Sequence, residues 1–378
     1  MHYFIYPNSD STLYEGGASS SINSGRDEIL EIVKHMNDDG SVVNVSRVLI
    51  KFDLTSISQS IEDGLIPSSA DFYLNLYDAN PSELTSEDEL YAYPVSQSWT
   101  EGSGKRFDNP TTTDGCSWRY RTNETTADQW VSGSNESGGT WYSGSVTNLD
   151  SVARSVEASQ SFTNETEDMR MKVTNIVQHW LSGSLNNDGF MLKRSGSIGN
   201  DDTTQPEGNT THYGNFSFFS RQTNTVFSPR LELVWDDSSF TTGSLSAFSS
   251  SELDDIVFYM KGLRPEYKEN SKVRFRVAAR NRYPARSFAT ASVASDIKYL
   301  PQTSYYSIRD AKTEDVIVPF GSGSKLSLDS TGHYFNVWLN GLQSERSYRI
   351  LYKVVSGSGT LDETNEIYDN DFQFDVTR

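Results

Sequence analysis

Apolar and polar residues alternate over short runs along most of this 378-residue chain. Phe72, Leu74 and Leu76 occupy every second position of one run, and Arg274 and Arg276 alternate with apolar residues in a later one. Side chains alternate between the two faces of a β-strand, so this period of two is typical of strands. Ser, Thr, Asn, Asp and Gly bound the runs and favour turns. The sequence therefore predicts an all-β protein.

Charge is distributed unevenly and suggests two domains. Residues 1–236 contain 15 Lys+Arg and 33 Asp+Glu, a net charge of −18, whereas residues 237–378 contain 17 and 18, a net charge of −1. A polar segment of small residues begins at the same place, after Trp235. We predict a first domain over 1–236, a linker over 237–251 and a second domain over 252–378. The acidic balance argues against binding to a nucleic-acid backbone.

One segment of the first domain has a helical period instead. Its apolar residues fall at i, i+3, i+4, i+7 and i+8, and they are Val173, Ile176, Val177, Trp180 and Leu181. Gly183 follows as a helix terminator. We expect one amphipathic helix that covers an open end of a β-sandwich, with Trp180 anchored in the core.

Ten short motifs of the first domain occur in a characteristic order. In chain order they lie at 10–13, 23–25, 47–54, 70–76, 95–102, 139–141, 173–180, 187–192, 218–221 and 228–233, and the strongest is VTNIVQHW at 173–180. Over about residues 2–235 this order resembles the DNRLRE-type module. The resemblance implies a jelly-roll-like β-sandwich that serves as an adhesion, carbohydrate-binding or assembly unit on secreted, cell-surface or phage proteins.

The second domain contains enough alternating runs for about seven strands, which is the size of an immunoglobulin-like sandwich. Its run 342–350 resembles the fibronectin type III strand that begins with a tyrosine corner, and Tyr348 is the tyrosine of that run. We predict an Ig-like β-sandwich here.

Sequence motifs for catalysis are absent. No Gly-x-Ser-x-Gly, His-Glu-x-x-His, Walker or Gly-x-Gly-x-x-Gly motif occurs, and no two of the five histidines are spaced as a metal-binding pair. We expect Cys116 to be a buried, inert thiol. No apolar run is long enough for a transmembrane helix, and the N-terminus has no secretory signal pattern. We therefore expect a protein that is not an enzyme, binds no membrane and is made in the host cytoplasm.

Two oxygen-rich loops could hold a structural calcium ion, although Asn-Asp-Gly is also an ordinary turn. Their candidate ligands are Asp188, Asp201 and Asp202. We predict no other cofactor.

Two groups of residues are candidates for binding. An aromatic group could stack on a glycan or a protein partner, or could belong to the core, and its members are Trp99, Trp118, Trp130, Trp141 and Tyr142. An arginine group could dock on carboxylates of a partner, or could be a solvated strand face, and its members are Arg274, Arg276, Arg280, Arg282 and Arg286.

These features together predict a structural protein of a tailed-phage virion, located in the neck or collar, the tail, the baseplate or the capsid decoration. Its partners would be other virion proteins, with a homo-oligomer left open. The alternative is a carbohydrate-binding or adhesin module that takes a host-surface glycan.

Overall fold

A computed structural model of the chain describes residues 1–16, 20–36, 42–85, 87–123, 125, 128–130, 138–147, 151–163, 168–194, 204–284, 297–357 and 363–378. Strands account for 45 % of the structure and helices for 9 %. The predicted all-β class is therefore confirmed.

Two units of structure divide the chain. The first, which we call the N-terminal unit, comprises Ile5–Leu233. The second, which we call the C-terminal unit, comprises Val234–Arg378 together with Met1–Phe4. The second unit includes the range 237–251, which we expected to be a linker. There, the Thr241 N–H donates to the Leu328 carbonyl at 3.0 Å.

The N-terminal unit is built mainly from two sheets. The strands before residue 235 are β1 (His2–Ile5), β2 (Ser9–Tyr14), β3 (Ile29–Met36), β4 (Val42–Lys51), β5 (Asp71–Leu76), β6 (Asp88–Pro94), β7 (Ser145–Thr147), β8 (Ala153–Ser155), β9 (Ala158–Phe162), β10 (Met169–Lys172), β11 (Phe190–Lys193), β12 (Gly214–Phe219) and β13 (Arg230–Val234). The larger sheet has the order β12-β3-β4-β11-β6-β9, with β2 also paired to β4, and β13-β5-β10 follow one another in a second sheet. Apolar residues such as Leu49 and Leu74 are fully buried in these sheets.

Two α-helices occur in this unit, α1 (Thr55–Glu62) and α2 (Thr174–Leu181). Helix α2 is the predicted amphipathic helix, and Gly183 follows its end with a φ of +72°. Helix α1 was not predicted from the sequence, although Ile57 and Ile61 are spaced as i and i+4, because the segment is short and otherwise polar and Ile57 is its only buried residue. The Asp53 carboxylate starts α1 by accepting the Thr55 N–H at 2.9 Å.

The C-terminal unit is a sandwich of two sheets. Its further strands are β14 (Ser246–Ala247), β15 (Ile256–Lys261), β16 (Glu266–Lys268), β17 (Lys272–Asn281), β18 (Lys298–Tyr299), β19 (Ser304–Asp310), β20 (Val316–Val318), β21 (Ser327–Asp329), β22 (Gly332–Trp338), β23 (Arg346–Ser356) and β24 (Thr364–Thr377). One sheet contains β15-β17-β22-β21 in that spatial order, and the other contains β20-β19-β23-β24. Seven of these strands, β15-β17-β22-β21 and β19-β23-β24, follow the ABED and CFG arrangement of constant-type immunoglobulin domains, and β20 adds an edge strand to the second sheet. This order supports the Ig-like prediction.

Apolar residues from both sheets of this sandwich form one core. Phe275 and Phe335 stack with their ring centres 5.3 Å apart, and Tyr306 stacks on Phe335 at 4.1 Å. Tyr348 forms the predicted tyrosine corner, because its hydroxyl donates to the carbonyl of Gln343 at 2.9 Å. Strand β23 is thereby tied to the turn that precedes it.

A neutral histidine is also built into this core. His333 on β22 is 1 % exposed, its Nε2 accepts the Leu300 N–H at 2.8 Å, and its Nδ1 lies 3.2 Å from the Ser327 carbonyl. The ring therefore carries its proton on Nδ1. Burial lowers the pKa of His333 to about 4, since the charged form would lose its hydration.

This low pKa predicts that acid destabilises the chain through His333. The unfolded state takes up a proton near pH 6.5 and the folded state only near pH 4, so stability falls as the pH drops through this window. The full effect is about 3 kcal/mol. We expect the stability difference between wild type and His333→Gln, measured by denaturant unfolding, to shrink by this amount between pH 7 and pH 4. A difference that stays constant with pH would contradict the assignment.

Candidate functional site

Four of the five predicted docking arginines lie in the described part of the C-terminal unit, and Arg286 lies outside the described residues. Arg274, Arg276 and Arg280 are separated by even numbers of residues on β17, so they share the face opposite to the core residue Phe275. Arg282 follows the end of the strand and is exposed. The fold thus brings three of the predicted residues to one sheet face.

Aromatic rings on the neighbouring strand line the same face. In the β17–β22 register, Lys272 is opposite Trp338 and Arg276 is opposite Tyr334. The Lys272 Nζ is 5.3 Å from the Trp338 ring centre, and the Arg274 guanidinium carbon is 4.6 Å from that of Tyr334. These are cation–π distances. We call these five residues the cation–aromatic face.

The cations of this face are not equally available. Arg276 forms an ion pair with Asp329, with 2.9 Å between Nη2 and Oδ2. Arg274 donates from Nε to the Asn336 amide oxygen at 3.0 Å and, like Lys272, has no ion pair with any described residue. Both side chains are exposed. The face therefore presents two positive charges that a partner can neutralise.

The aromatic residues of this face, Tyr334 and Trp338, were not among the candidates predicted from the sequence. Tyr334 and Trp338 are half-buried and alternate with the core residues Phe335 and Val337. Their outward direction could have been predicted from this alternation. Their position beside Lys272 could not, because it depends on the pairing of β17 with β22.

The candidate aromatic group of the N-terminal unit lies mostly in the interior. Trp99, Trp118 and Trp130 are 8 %, 2 % and 5 % exposed, while Trp141 and Tyr142 are half-buried. Rings this deeply buried have no free face for a ligand. The structure therefore favours the core interpretation for the three buried tryptophans over the glycan-stacking one.

Trp118 and Trp141 stack on a cation of the chain itself. The Arg47 guanidinium carbon lies 4.8 Å from the Trp118 ring centre and 5.0 Å from that of Trp141. Arg47 Nη2 and Lys193 Nζ approach the same carboxylate oxygen of Glu207, at 2.8 and 3.7 Å. The three charged side chains are at most 1 % exposed. Burial acts to raise the pKa of Glu207, but the two cations outweigh it and hold that pKa below its usual value.

The predicted calcium ligands are divided between described and undescribed parts of the chain. Asp188 is nearly buried, its carboxylate lies 3.6 Å from the Lys51 Nζ, and its backbone carbonyl accepts the Trp99 Nε1–H at 2.7 Å. Asp201 and Asp202 lie outside the described residues. Of the three predicted calcium ligands, the structure therefore describes Asp188 alone.

The single cysteine, Cys116, was expected to be a buried and inert thiol. Cys116 is buried as expected, and burial raises the pKa of its thiol to about 12.

The histidines are not all isolated. The fold brings His35 and His212 into contact, although their spacing in the sequence does not predict a pair. No local signal indicates this contact, since it depends on the pairing of β3 with β12.

The comparisons with known proteins leave the family of this chain open. No family model matches the chain, and no curated protein matches it. The resemblance to the DNRLRE-type module therefore stays a prediction. Within the described ranges, no helix has both the length and the apolar character needed to cross a bilayer.

The Arg47–Lys193–Glu207 cluster predicts a large effect of one substitution. Glu207→Gln leaves the buried Arg47 guanidinium without the carboxylate that pairs with it, and breaking a buried ion pair in this way costs about 3–5 kcal/mol. We expect the free energy of unfolding of the N-terminal unit to fall by this amount. Urea unfolding followed by tryptophan fluorescence reports on it, because five of the seven tryptophans lie within Ile5–Leu233.

The matched control for Glu207→Gln is Lys172→Met. It breaks an exposed ion pair with Asp71, in which the charged atoms are 2.8 Å apart. Exposed pairs contribute about 1 kcal/mol or less. A Glu207→Gln variant that loses no more stability than the control would contradict the account of this cluster.

Proposed function

We propose that this chain is a non-enzymatic structural protein that works by assembly, and that its cation–aromatic face docks on an acidic surface of a neighbouring protein. The observation that carries the proposal is the pair Lys272 and Arg274. They lie two positions apart on β17, are exposed, and have no ion pair among the described residues. Carboxylates of a partner are the groups that complement them.

The chemistry of the face is that of protein interfaces. Aromatic and Arg residues are enriched where interfaces are most buried, and Trp, Tyr and Arg dominate their binding energy. The guanidinium of Arg274 lies near the ring of Tyr334, and its edge can still donate hydrogen bonds to a carboxylate. The half-buried ring of Trp338 supplies apolar area next to these charges. Contact with an acidic partner would bury both the Trp338 ring and the neighbouring charges.

We place this assembly in the virion of a tailed phage, in contact with other virion proteins. The DNRLRE-type resemblance, two β-built units and a composition rich in Ser, Thr, Asn, Asp and Gly support that setting. The carbohydrate-binding alternative depended on a set of aromatic residues of the N-terminal unit. It loses support because three of them, Trp99, Trp118 and Trp130, are buried.

The proposal predicts that the chain is a fixed component of particles. Quantitative mass spectrometry of particles purified from the natural host should find it at a constant copy number. The double variant Lys272→Glu/Arg274→Glu reverses both unpaired charges, so it should repel the acidic partner. We expect its incorporation into particles to fall roughly tenfold or more, which corresponds to about 1.4 kcal/mol of lost affinity.

Lys312→Glu is the control for this experiment. Lys312 is exposed and lies in the turn between β19 and β20, which belong to the sheet that does not contain the cation–aromatic face. Reversing the charge of Lys312 should leave the incorporation of the chain into particles unchanged. Normal incorporation of the double variant would contradict the docking face. A chain that accumulates outside cells and never co-purifies with particles would contradict the assembly function itself.

A further inference from the structure

Two histidines and a glutamate come together in the N-terminal unit, beside the start of β12. Potential ligand atoms of His35, Glu83 and His212 all lie within 4.8 Å of one another. The Nε2 of His212 is 2.9 Å from an Oε2 of Glu83. The two imidazole rings are stacked, with their centres 5.0 Å apart and their planes 9° from parallel. This cluster serves neither the core nor the proposed docking face.

Three neighbouring segments deliver these side chains. Strands β3 and β12 pair antiparallel, and just before β12 the Tyr213 N–H donates to the Lys34 carbonyl at 3.1 Å. This bond places His212 next to His35. On the other side of β12, Ser82 and Asn215 exchange both backbone hydrogen bonds, at 3.0 and 2.9 Å, which brings in the following Glu83.

The backbones of Gly214 and Glu83 approach each other unusually closely. Gly214 has a φ of +72°, and a Cβ atom at this position would lie 2.3 Å from the Glu83 carbonyl oxygen. Only glycine fits there. Glu83 itself has a φ of +56°, which is uncommon for a residue with a side chain. The chain therefore accepts a constrained geometry where Glu83 meets the histidines.

One histidine of the cluster offers a ring nitrogen without a partner. The Nε2 atom of His35 is buried and has no hydrogen-bond partner in the described part of the chain. A neutral imidazole with a free nitrogen lone pair is a good metal ligand. Glu83 adds a carboxylate that is 69 % exposed and reachable from solvent.

We propose that His35, Glu83 and His212 form a binding site for a first-row divalent transition-metal ion, with Zn²⁺ as its representative. Two imidazole nitrogens and one carboxylate oxygen are a common zinc ligand set that leaves a fourth position for water. Binding replaces the hydrogen bond between His212 and Glu83 and the one that the Met36 N–H donates to the His212 Nδ1 at 3.4 Å. The His212 ring, which is 37 % exposed, turns out of its stack so that both imidazole lone pairs meet at one ion. The ion then ties the three segments together.

Zinc titration of the full chain tests this site. Protein freed of metal by chelation is titrated with ZnCl₂ in a calorimeter, and Co²⁺ absorption in the visible range reports the ligand field. We expect one tight ion per chain, a higher thermal midpoint with Zn²⁺, and no displacement by Ca²⁺ or Mg²⁺, which prefer oxygen ligands. His35→Ala and His212→Ala should each weaken the affinity roughly a hundredfold, and Glu83→Gln roughly tenfold or more.

Two control variants separate this site from adventitious binding to an acidic protein. Glu87→Gln removes another exposed carboxylate from the same unit, and His333→Gln removes a histidine of the other unit. Both should bind Zn²⁺ like the wild type. Glu83→Gln keeps the test decisive if His35→Ala fails to fold, because Glu83 is exposed. Equal affinities of the wild type and all three site variants, or millimolar binding of several ions, would overturn the proposal.

Discussion

Alternation of side chains between the two faces of a strand is the constraint on which both the interior and the surfaces of this protein depend. In β17 it sends Phe275 and Val277 into the core, and Arg274 must therefore face outward. In β3 it places Ile32 in the interior and His35 on the opposite face. Antiparallel register then decides which side chains on neighbouring strands meet, so the proposed docking face and the proposed metal site have a common origin.

Charge plays two different physical roles in the two units. In the N-terminal unit, Arg47 is enclosed between two tryptophan rings and paired with Glu207, so its charge is satisfied inside the fold. In the C-terminal unit, Lys272 and Arg274 lie against aromatic rings at the surface and are paired with no described carboxylate. The first arrangement specifies the position of a buried side chain at a desolvation cost. The second keeps its charges available to a partner.

Local patterns in the sequence were enough to predict the class, the helix α2 and the tyrosine corner at Tyr348, because each of these rests on residues within about ten positions. Contacts between distant segments could not be predicted in this way. The aromatic enclosure of Arg47 and the pairing of His35 with His212 depend on strand register, which a single sequence does not reveal. The same limit turned three buried tryptophans into candidates for ligand stacking.

The most direct test of the central claim is hydroxyl-radical footprinting of the chain, free in solution and within purified particles. Oxidation of Trp338 and Tyr334 should fall sharply on assembly, because a partner covers the cation–aromatic face. Tyr283, which is 76 % exposed and lies beyond the end of β17, provides an internal comparison on the same unit. Equal oxidation of Trp338 and Tyr334 in the two states would show that this face stays open, and would contradict the account.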